Sequence, residues 1–306
     1  MDNKIILNKL GETEEEFVRN YNPHIYEKPS VTTDNLIFTV DDIDNENYRK
    51  PSQKDLKVLL IKRGEHPFIG QWALPGGFVK LDENLIDGAK RKLKEETGIN
   101  DIYIEQLYTY GDVNRDPRYR IISTVYMALI NKENINIEAG DDANDIGWFS
   151  VKSTKSKEER TIETKDGYKK ECFVDLLLTN EEIQLSAKIK YTKIITKRRV
   201  EKLMEVIESN NIAFDHAEII QYGLDRLKNK IEYTDIAFNL MNDLFTFREL
   251  QDVYEIILNK KFTKANFQRK TRHLIKESGK LLTGAGHRPA MLYQFNPEWE
   301  DERSDF

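Results

Sequence analysis

The densest group of residues that could do chemistry lies between Gly77 and Ile99. A glycine-led loop there is followed by Glu83 and then by a run whose apolar residues recur at helical spacing. Glu95 and Glu96 project from one helical turn beside the loop. Adjacent carboxylates next to a glycine-rich loop are typical of sites that hold Mg2+ against a diphosphate, because this cation shares oxygen ligands with phosphate. Glu83, Glu95 and Glu96 are therefore the candidate metal ligands, and Glu95 and Glu96 the candidate catalytic residues if the site is active.

The spacing of this stretch resembles the Nudix box: a glycine, five residues, a glutamate, seven residues, and then Arg-Glu-aliphatic-x-Glu-Glu-x-Gly-aliphatic. Eight of its nine fixed positions match, at Gly77, Glu83, Arg91, Leu93, Glu95, Glu96, Gly98 and Ile99. At the ninth position, Lys92 stands where the family has glutamate. The resemblance implies a Nudix fold, an α/β/α sandwich built on a mixed sheet, within a chain of the α+β class.

Lys92 decides what the box can do. In the Nudix family the glutamate at this position helps to hold the metal and to activate the attacking water, whereas an ammonium has no lone pair for a cation. Lys92 lies three and four residues before Glu95 and Glu96, so its charge can neutralise both carboxylates and fill the cation's place. We therefore expect poor or absent hydrolysis, with Mg2+ as a weakened cofactor. The alternative is that Lys92 points into solvent and the glutamates still bind Mg2+ weakly.

Five residues around the box have the chemistry to hold phosphate. Gly76 and Gly77 let the backbone approach a phosphate group closely. Arg63 ends an apolar strand before the box, and Arg115 and Arg118 lie at a turn after it. The planar fork of arginine suits diphosphate oxygens, and this turn resembles the region beside the site in Nudix proteins that act on ADP-ribose. The five residues are the predicted ligand-binding set; the alternative for the turn is a solvated loop with local ion pairs.

Length and composition limit the class of protein. At 306 residues the chain is too long for one Nudix domain, so a second domain is expected. No apolar run approaches the roughly 20 residues of a membrane span, and the first residues lack a signal-peptide pattern. The single cysteine, Cys172, fits a reducing cytoplasm without membrane association.

The net charge of -6 does not exclude a local basic face. Residues 188–199 hold six basic residues and no acid, which predicts a solvated face or, alternatively, a contact to nucleic acid or a partner protein.

The middle of the chain is ambiguous. We assign residues 1–150 to a Nudix-like ligand-binding domain and residues 151–210 to a charged connector that contains a helix. Residues 152–170 are polar and predict an extended surface loop or hairpin. Residues 173–178 are apolar and are expected to extend a helix. A helical stripe is expected beyond them, from the spacing of Val200, Leu203, Val206 and Ile207.

Residues 211–306 have the pattern of a winged helix-turn-helix domain. Residues 215–227 have helical periodicity, with Asp215 as the expected N-cap. Thr246 and Glu249 form a capping box that starts the next helix, which buries apolar residues on one face. Thr263 is expected to cap a third helix over residues 264–276. Two short helices joined by a tight turn, the second cationic outward, form the helix-turn-helix arrangement.

The third helix and the hairpin after it supply the predicted DNA contacts. Residues 260–276 contain seven Lys or Arg residues and no Asp or Glu. Residues 280–282 and 291–295 flank a glycine-rich turn and are expected to form the wing. Lysine and arginine contacts to phosphate give affinity, and contacts to base edges give selectivity. The predicted DNA-binding residues are Lys264, Asn266, Gln268, Arg269, Arg272, His273, Lys276 and Arg288. The alternative is a winged helix that serves only in packing or dimerisation, with a solvated basic face.

The whole arrangement resembles the Nudix-related transcriptional regulators of NAD metabolism, the NrtR family. The residues that carry this resemblance, besides the box, lie at 214–220, 236–238, 245–254, 266–270 and 287–290. The resemblance implies a homodimer whose winged helices bind a pseudo-palindromic double-stranded DNA operator. It also implies that a ligand such as ADP-ribose in the Nudix pocket weakens that binding. We therefore expect a ligand-responsive transcriptional regulator whose effector is ADP-ribose or a related nucleotide or phosphosugar. The alternatives are an active Mg2+-dependent Nudix hydrolase of the ADP-ribose pyrophosphatase type, and a protein with both activities.

Overall fold

The computed structural model describes residues 6–43, 53–99, 102–132, 143–181, 183–283 and 289–299. The strands of a large sheet are β1 (Ser30–Ile43), β2 (Gln53–Arg63), β3 (Trp72–Ala73), β4 (Gly76–Phe78), β5 (Ile104–Tyr110), β6 (Ile121–Leu129), β7 (Ala143–Thr164), β8 (Gly167–Asn180), β9 (Ile183–Thr196) and β10 (Val200–Asn210). The helices are α1 (Glu14–Asn20), α2 (Leu85–Thr97), α3 (His216–Lys230), α4 (Phe247–Leu258) and α5 (Lys264–Thr271). A small sheet contains β11 (Phe245–Thr246), β12 (Ile275–Leu282) and β13 (Ala290–Phe295).

The large sheet is mixed. Its strands follow the order β10-β9-β8-β7-β2-β1-β6-β5, with β3 paired to β2 and β4 paired to β1. Strands β1 and β6 run parallel, and the other pairs are antiparallel. The expected mixed sheet and α+β class are confirmed.

Strand β1 is buried on both faces, which explains its run of apolar residues. Successive side chains of a strand point to opposite faces. Leu36 and Phe38 accordingly join one hydrophobic core, whereas Ile37 joins another with Ala89 and Leu93 of α2. Helix α3 covers the first face, and α2 covers the second. The sheet therefore lies between helical layers, as the Nudix resemblance implies.

Residues 151–210 contain no helix in the parts that the structure describes, so the helices expected there are wrong. They form the end of β7 and the strands β8, β9 and β10, an antiparallel meander that continues the large sheet. The polar stretch 152–170 is the β7–β8 hairpin, one of its two expected forms.

Cross-strand pairing explains why the helical spacing misleads. Leu178 lies opposite Leu185 and Leu176 opposite Ala187, and all four side chains are buried. With this period of two, the strands pair through their backbones and still place every second side chain in the core. On the edge strand β10, Leu203 and Ile207 remain exposed instead of forming a buried stripe.

The C-terminal segment is a winged helix, as expected. Thr246 accepts a hydrogen bond from the Glu249 backbone N–H, and the Glu249 side chain accepts one from Thr246 N–H. This capping box fixes the start of α4, whose Leu250, Val253 and Tyr254 are buried. Strands β12 and β13 form the predicted hairpin, and β11 completes a three-stranded sheet.

The third helix is shorter than predicted. Thr263 caps α5 through the backbone N–H of Asn266, but the helix ends at Thr271. Residues 272–274 form one 3-10 turn, and β12 begins at Ile275. Leu274 is buried at this change of direction. The helix ends there because Leu274 is buried and because β12 pairs with β13. Lys276 is therefore a strand residue.

Helix α3 and the winged helix share the core of the Nudix sheet. The cluster that holds Leu36 and Phe38 also contains Leu224 of α3 and Leu250 of α4. At Gly223, a Cβ would lie 2.0 Å from the Leu36 side chain, so α3 approaches β1 closely only because this residue is glycine. Among the described residues, no helix has the length and apolar character needed to cross a bilayer.

Candidate functional site

The glycine loop and α2 meet as the box spacing predicts. Gly98 ends α2 with a left-handed φ of 73°. The Gly76 N–H donates to the Glu96 carboxylate at 2.7 Å, which fixes the loop on the helix. A Cβ at Gly76 would lie 2.3 Å from an Asp34 carboxylate oxygen, and one at Gly77 would lie 2.6 Å from Cε of Lys92. The same Cβ at Gly76 would lie 2.5 Å from the Thr33 backbone carbonyl oxygen, so the loop needs glycine there, whereas the flexible Lys92 side chain could move aside for a Cβ at Gly77.

Basic groups and a backbone N–H engage the three candidate metal ligands. Arg91 donates to both carboxylate oxygens of Glu83, at 2.5 and 2.9 Å, and these bonds lower the pKa of Glu83 to about 2. Glu95 pairs with Lys92 at 3.0 Å and with Arg91 at 3.2 Å, which lowers its pKa. Glu96 accepts from Gly76. No group of three His, Cys, Asp or Glu side chains that could hold a metal occurs in the described parts of the chain. In this arrangement Glu83 and Glu95 are paired with basic side chains, which disfavours Mg2+ binding by these acids.

A cavity of about 430 Å³ lies beside the box. This volume lies within the range of pockets that bind small molecules. All five residues predicted to bind ligand line it, namely Arg63, Gly76, Gly77, Arg115 and Arg118. Lys92 and Glu96 line it as well, whereas Glu83 and Glu95 do not. The cavity therefore collects four basic side chains, three guanidinium groups and one ammonium.

Each arginine of the cavity is oriented by its own contacts. Arg63 donates to the backbone carbonyl of Pro67 at 2.8 Å. Burial, followed by the nearby charge of Arg118, lowers the pKa of Arg63. Arg118 forms a bidentate pair with Asp116, at 2.8 and 3.0 Å. The structure therefore contains a local ion pair, which was part of the alternative prediction for this turn. Arg118 nevertheless also lines the cavity.

Arg115 reaches a residue 100 positions away. Its Nε and Nη2 atoms donate to the two carboxylate oxygens of Asp215, both at 2.8 Å. Only 6% of the Arg115 side chain is exposed. Burial alone lowers the pKa of Arg115, but the bonds and charge of Asp215 outweigh it and raise the pKa overall. Asp215 makes no side-chain cap bond to α3, although it holds the N-cap position.

Sequence reasoning missed two aromatic cavity residues at the start of α3. Phe214 lies under Arg63, with the guanidinium carbon 4.9 Å from its ring centre, and under Arg118 at 5.8 Å. His216 accepts a hydrogen bond at Nδ1 from the Leu74 N–H, at 2.9 Å. Burial lowers the pKa of His216 and so favours the neutral ring that can accept this bond. Nothing in their spacing places these residues at the box, more than a hundred positions earlier.

The predicted DNA-binding residues divide into three groups. Lys264, Asn266, Gln268 and Arg269 are exposed on α5, and Arg272 is exposed just beyond it. Half-buried His273 lies 5.9 Å from Trp299, ring centre to ring centre, and Lys276 pairs with Glu298 at 2.5 Å. Arg288 lies outside the described residues. The buried face of α5 presents Phe267 to Tyr254, so its basic face points outward.

Comparisons with known proteins agree with this geometry. The family model of the NrtR DNA-binding winged helix domain matches residues 237–295, and that of the NUDIX domain matches residues 49–169. A protein of Acinetobacter baylyi, named ADPR responsive transcriptional repressor NtrR, is 33% identical over 287 residues, which is 92% of this chain and 88% of the relative.

Two crystal structures resemble most of the chain. A MutT/nudix family protein from Enterococcus faecalis is 27% identical, with a TM-score of 0.66 over 93% of this chain and 94% of its own. Shewanella oneidensis NrtR complexed with a 27mer DNA is 26% identical, with a TM-score of 0.56 over 89% of this chain and 95% of its own. Together with the repressor from Acinetobacter baylyi, these similarities show that the chain belongs to the NrtR family of Nudix-related transcriptional regulators.

Proposed function

We propose that this protein is a transcriptional regulator that binds operator DNA through its winged helix and releases it when ADP-ribose enters the Nudix cavity. The observation that carries the proposal is the combination, in one chain, of a cavity lined by four basic side chains and a helix α5 whose basic face is exposed. The name of the Acinetobacter baylyi relative supports ADPR, which we take as ADP-ribose, as the ligand. The cytoplasm, where DNA and nucleotides are both accessible, is the proposed compartment.

The cavity suits a diphosphate without a metal ion. Arg63, Arg115 and Arg118 supply planar forks that match pairs of phosphate oxygens. Lys92 adds an ammonium at the edge of the box, where a hydrolase of this fold has a metal-binding glutamate. These four basic groups supply hydrogen-bond donors and positive charge beside the four carboxylates that also line the cavity, Asp34, Glu65, Glu96 and Asp116. Asp34 and Asp116 also line the cavity and offer acceptors for the hydroxyl groups of a ribose.

The exposed face of α5 suits the major groove of DNA. Lys264 lies in the first turn of the helix and can contact phosphate. Asn266, Gln268 and Arg269 have the side-chain types that bind base edges bidentately. We propose a homodimer, because two such helices one or more helical turns of DNA apart would recognise two half-sites of a pseudo-palindrome. The DNA complex of the Shewanella oneidensis relative supports DNA as the partner.

An active hydrolase is the second candidate, and the box argues against it. Hydrolysis in this fold depends on carboxylates that gather around a metal ion and polarise water. Here Glu83 and Glu95 are bound to basic side chains, and neither lines the cavity. We therefore propose weak or absent hydrolysis.

A mobility-shift assay combined with a phosphate-release assay tests the proposal. The DNA upstream of the protein's own gene is mixed with the protein, with and without ADP-ribose. We expect a shifted band that ADP-ribose weakens by about 5- to 150-fold, the usual range of allosteric coupling. We also expect negligible release of phosphate-containing products from ADP-ribose. Brisk cleavage without any DNA shift would support the hydrolase instead.

A further inference from the structure

The wall of the cavity and the start of α3 are made of the same residues. Phe214 and His216 line the cavity, and Asp215 between them holds Arg115, which lines it too. His216 is also the first residue of α3. Any ligand that contacts this wall therefore touches the end of a helix that packs against the winged helix.

The Arg115–Asp215 pair occupies one of the two edges at which an arginine can bind a phosphate bidentately. Nε and Nη2 form one edge of the guanidinium group, and both already donate to Asp215. A diphosphate presents the same kind of paired acceptor oxygens. It also carries negative charge, which opposes a nearby carboxylate. A diphosphate that takes this edge of Arg115 must therefore displace Asp215.

Phe214 makes residues 214–216, at the start of α3, sensitive to a displacement of Asp215. Its φ of 52° lies in the left-handed region, which a bulky residue adopts only when its surroundings hold it there. The holding contacts are Arg63 and Arg118 over the ring and Phe68 at 4.7 Å, ring centre to ring centre. Both arginines are predicted ligand contacts, so a ligand that recruits them withdraws part of this support.

Helix α3 connects residues 214–216 to the winged helix. Ile219, Ile220, Leu224 and Leu227 of α3 belong to the core that also contains Leu250 and Val253 of α4. On its other side α3 is fixed to the meander, where Tyr191 donates to Asp225 and Ser153 to Gln221. A change at the first turn of α3 is thus transmitted through packed side chains to the winged helix.

We propose that the Arg115–Asp215 ion pair is the coupling switch of this protein: it holds the DNA-competent arrangement, and the ligand's diphosphate breaks it by taking Arg115. This inference rests on the proposed function, because it needs both an anionic ligand and an operator. If the pair holds the DNA-competent arrangement, ligand binding and DNA binding oppose each other by the same factor.

The test compares Asp215→Asn with Asp166→Asn in the full-length protein. Both variants remove one carboxylate charge, but Asp166 is exposed in the turn between β7 and β8 and does not line the cavity. Operator affinity is measured with and without ADP-ribose by fluorescence anisotropy, and ADP-ribose affinity by calorimetry. For Asp215→Asn we expect tighter ADP-ribose binding, weaker operator binding without ligand, and a ligand effect on operator affinity reduced to about twofold or less. For Asp166→Asn we expect the wild-type ligand effect.

A second variant keeps the inference testable if Asp215→Asn does not fold. Arg115→Lys keeps the positive charge but has no fork, so it should weaken ADP-ribose binding and reduce the ligand effect together. Thermal unfolding followed by circular dichroism identifies the variants that fold. The inference is overturned if the wild-type protein responds to ADP-ribose and a folded Asp215→Asn or Arg115→Lys variant keeps the full ligand effect. A wild-type protein that neither binds upstream DNA nor responds to ADP-ribose overturns the proposed function itself.

Discussion

The ammonium of Lys92 lies 3.0 Å from a carboxylate oxygen of Glu95, three residues further along α2. Arg91 reaches the same carboxylate and also binds Glu83. In a metal-dependent Nudix site these acids would face a divalent cation, whereas here basic side chains of the same helix engage them. Lys92 also lines the cavity, so one substitution both opposes the metal and adds a positive charge next to the ligand site.

Replacing the lysine should restore part of a metal site. In Lys92→Glu, a third acidic side chain joins Glu95 and Glu96 within two helical turns, and the ammonium that competes for them is gone. We expect Mg2+ affinity to rise and ADP-ribose hydrolysis to become measurable. Calorimetry with Mg2+ and a phosphate-release assay check both expectations. Lys92→Gln is the matched control, because it removes the charge without adding a carboxylate and should gain no activity. Equal activity of both variants and wild type would contradict the role given to Lys92.

Arg118 should contribute directly to ligand affinity. Hydrogen bonds that involve a charged group contribute about 1.5–3 kcal/mol, so Arg118→Gln should weaken ADP-ribose binding by about 10- to 150-fold. Calorimetry in the presence of a chelator measures the change. Arg160→Gln serves as the control, because Arg160 is exposed on β7, does not line the cavity, and contacts Glu158 and the ring of Phe173. Unchanged affinity of Arg118→Gln would remove this residue from the binding set.

Arg269 on α5 should be needed for operator recognition. Its side chain is exposed and donates to Asn266 at 3.2 Å, so both are held on the outer face of the helix. A good bidentate contact to a base contributes about 1–3 kcal/mol of discrimination. We therefore expect Arg269→Gln to lower operator affinity by about 5- to 150-fold while ADP-ribose binding stays intact. Arg198→Gln, in the basic run between β9 and β10, tests the other candidate DNA surface. A larger loss from Arg198→Gln would place the DNA contact in that run.

Glu218 should make stability depend on pH. Burial, followed by the charges of Asp215 and Asp112, raises the pKa of Glu218 to about 7. A carboxyl group whose pKa is raised on folding stabilises the protein below its unfolded pKa, and this contribution is lost as pH rises through the folded pKa. Glu218→Gln stays neutral at every pH. Its free energy of unfolding should match wild type at about pH 4.5 and exceed it by on the order of 1 kcal/mol above about pH 7, after allowance for solvent screening.

Urea unfolding at several pH values measures this difference. The excess of the free energy of unfolding of Glu218→Gln over wild type should grow as pH rises from about 4.5, the ordinary pKa of glutamate, to about 7, the pKa of Glu218 in the folded protein. A gain that is constant with pH would show that the glutamine improves packing rather than removing a buried charge. A loss of stability above about pH 7 would contradict the assigned pKa shift.

Much of this account could be predicted from sequence because its signals are local. The box fixes Gly77 and α2 by spacing, with Gly76 directly before it, and the capping box at Thr246 fixes the start of α4. Arg63, Arg115 and Arg118 followed from residue type and position beside the box, and all three line the cavity. These predictions depended on residue types and spacings that can be read within short stretches of chain.

The failures have tertiary causes. Residues 173–178 and 200–207 were expected to be helical, but strand pairing across the meander outweighs their local spacing. Phe214 and His216 enter the cavity because α3 packs on β1, a contact between segments almost two hundred residues apart. The end of α5 was misplaced because burial of Leu274, rather than a helix-stop residue, decides it.

The central claim is that a metal-free Nudix cavity controls DNA binding. The most direct measurement is an anisotropy titration of a labelled duplex from upstream of the protein's own gene, with increasing ADP-ribose in excess chelator. The account predicts that operator affinity falls by about 5- to 150-fold and that the ADP-ribose remains uncleaved. Operator affinity that does not change with ADP-ribose, or that changes only when Mg2+ is added and the ligand is consumed, would contradict it.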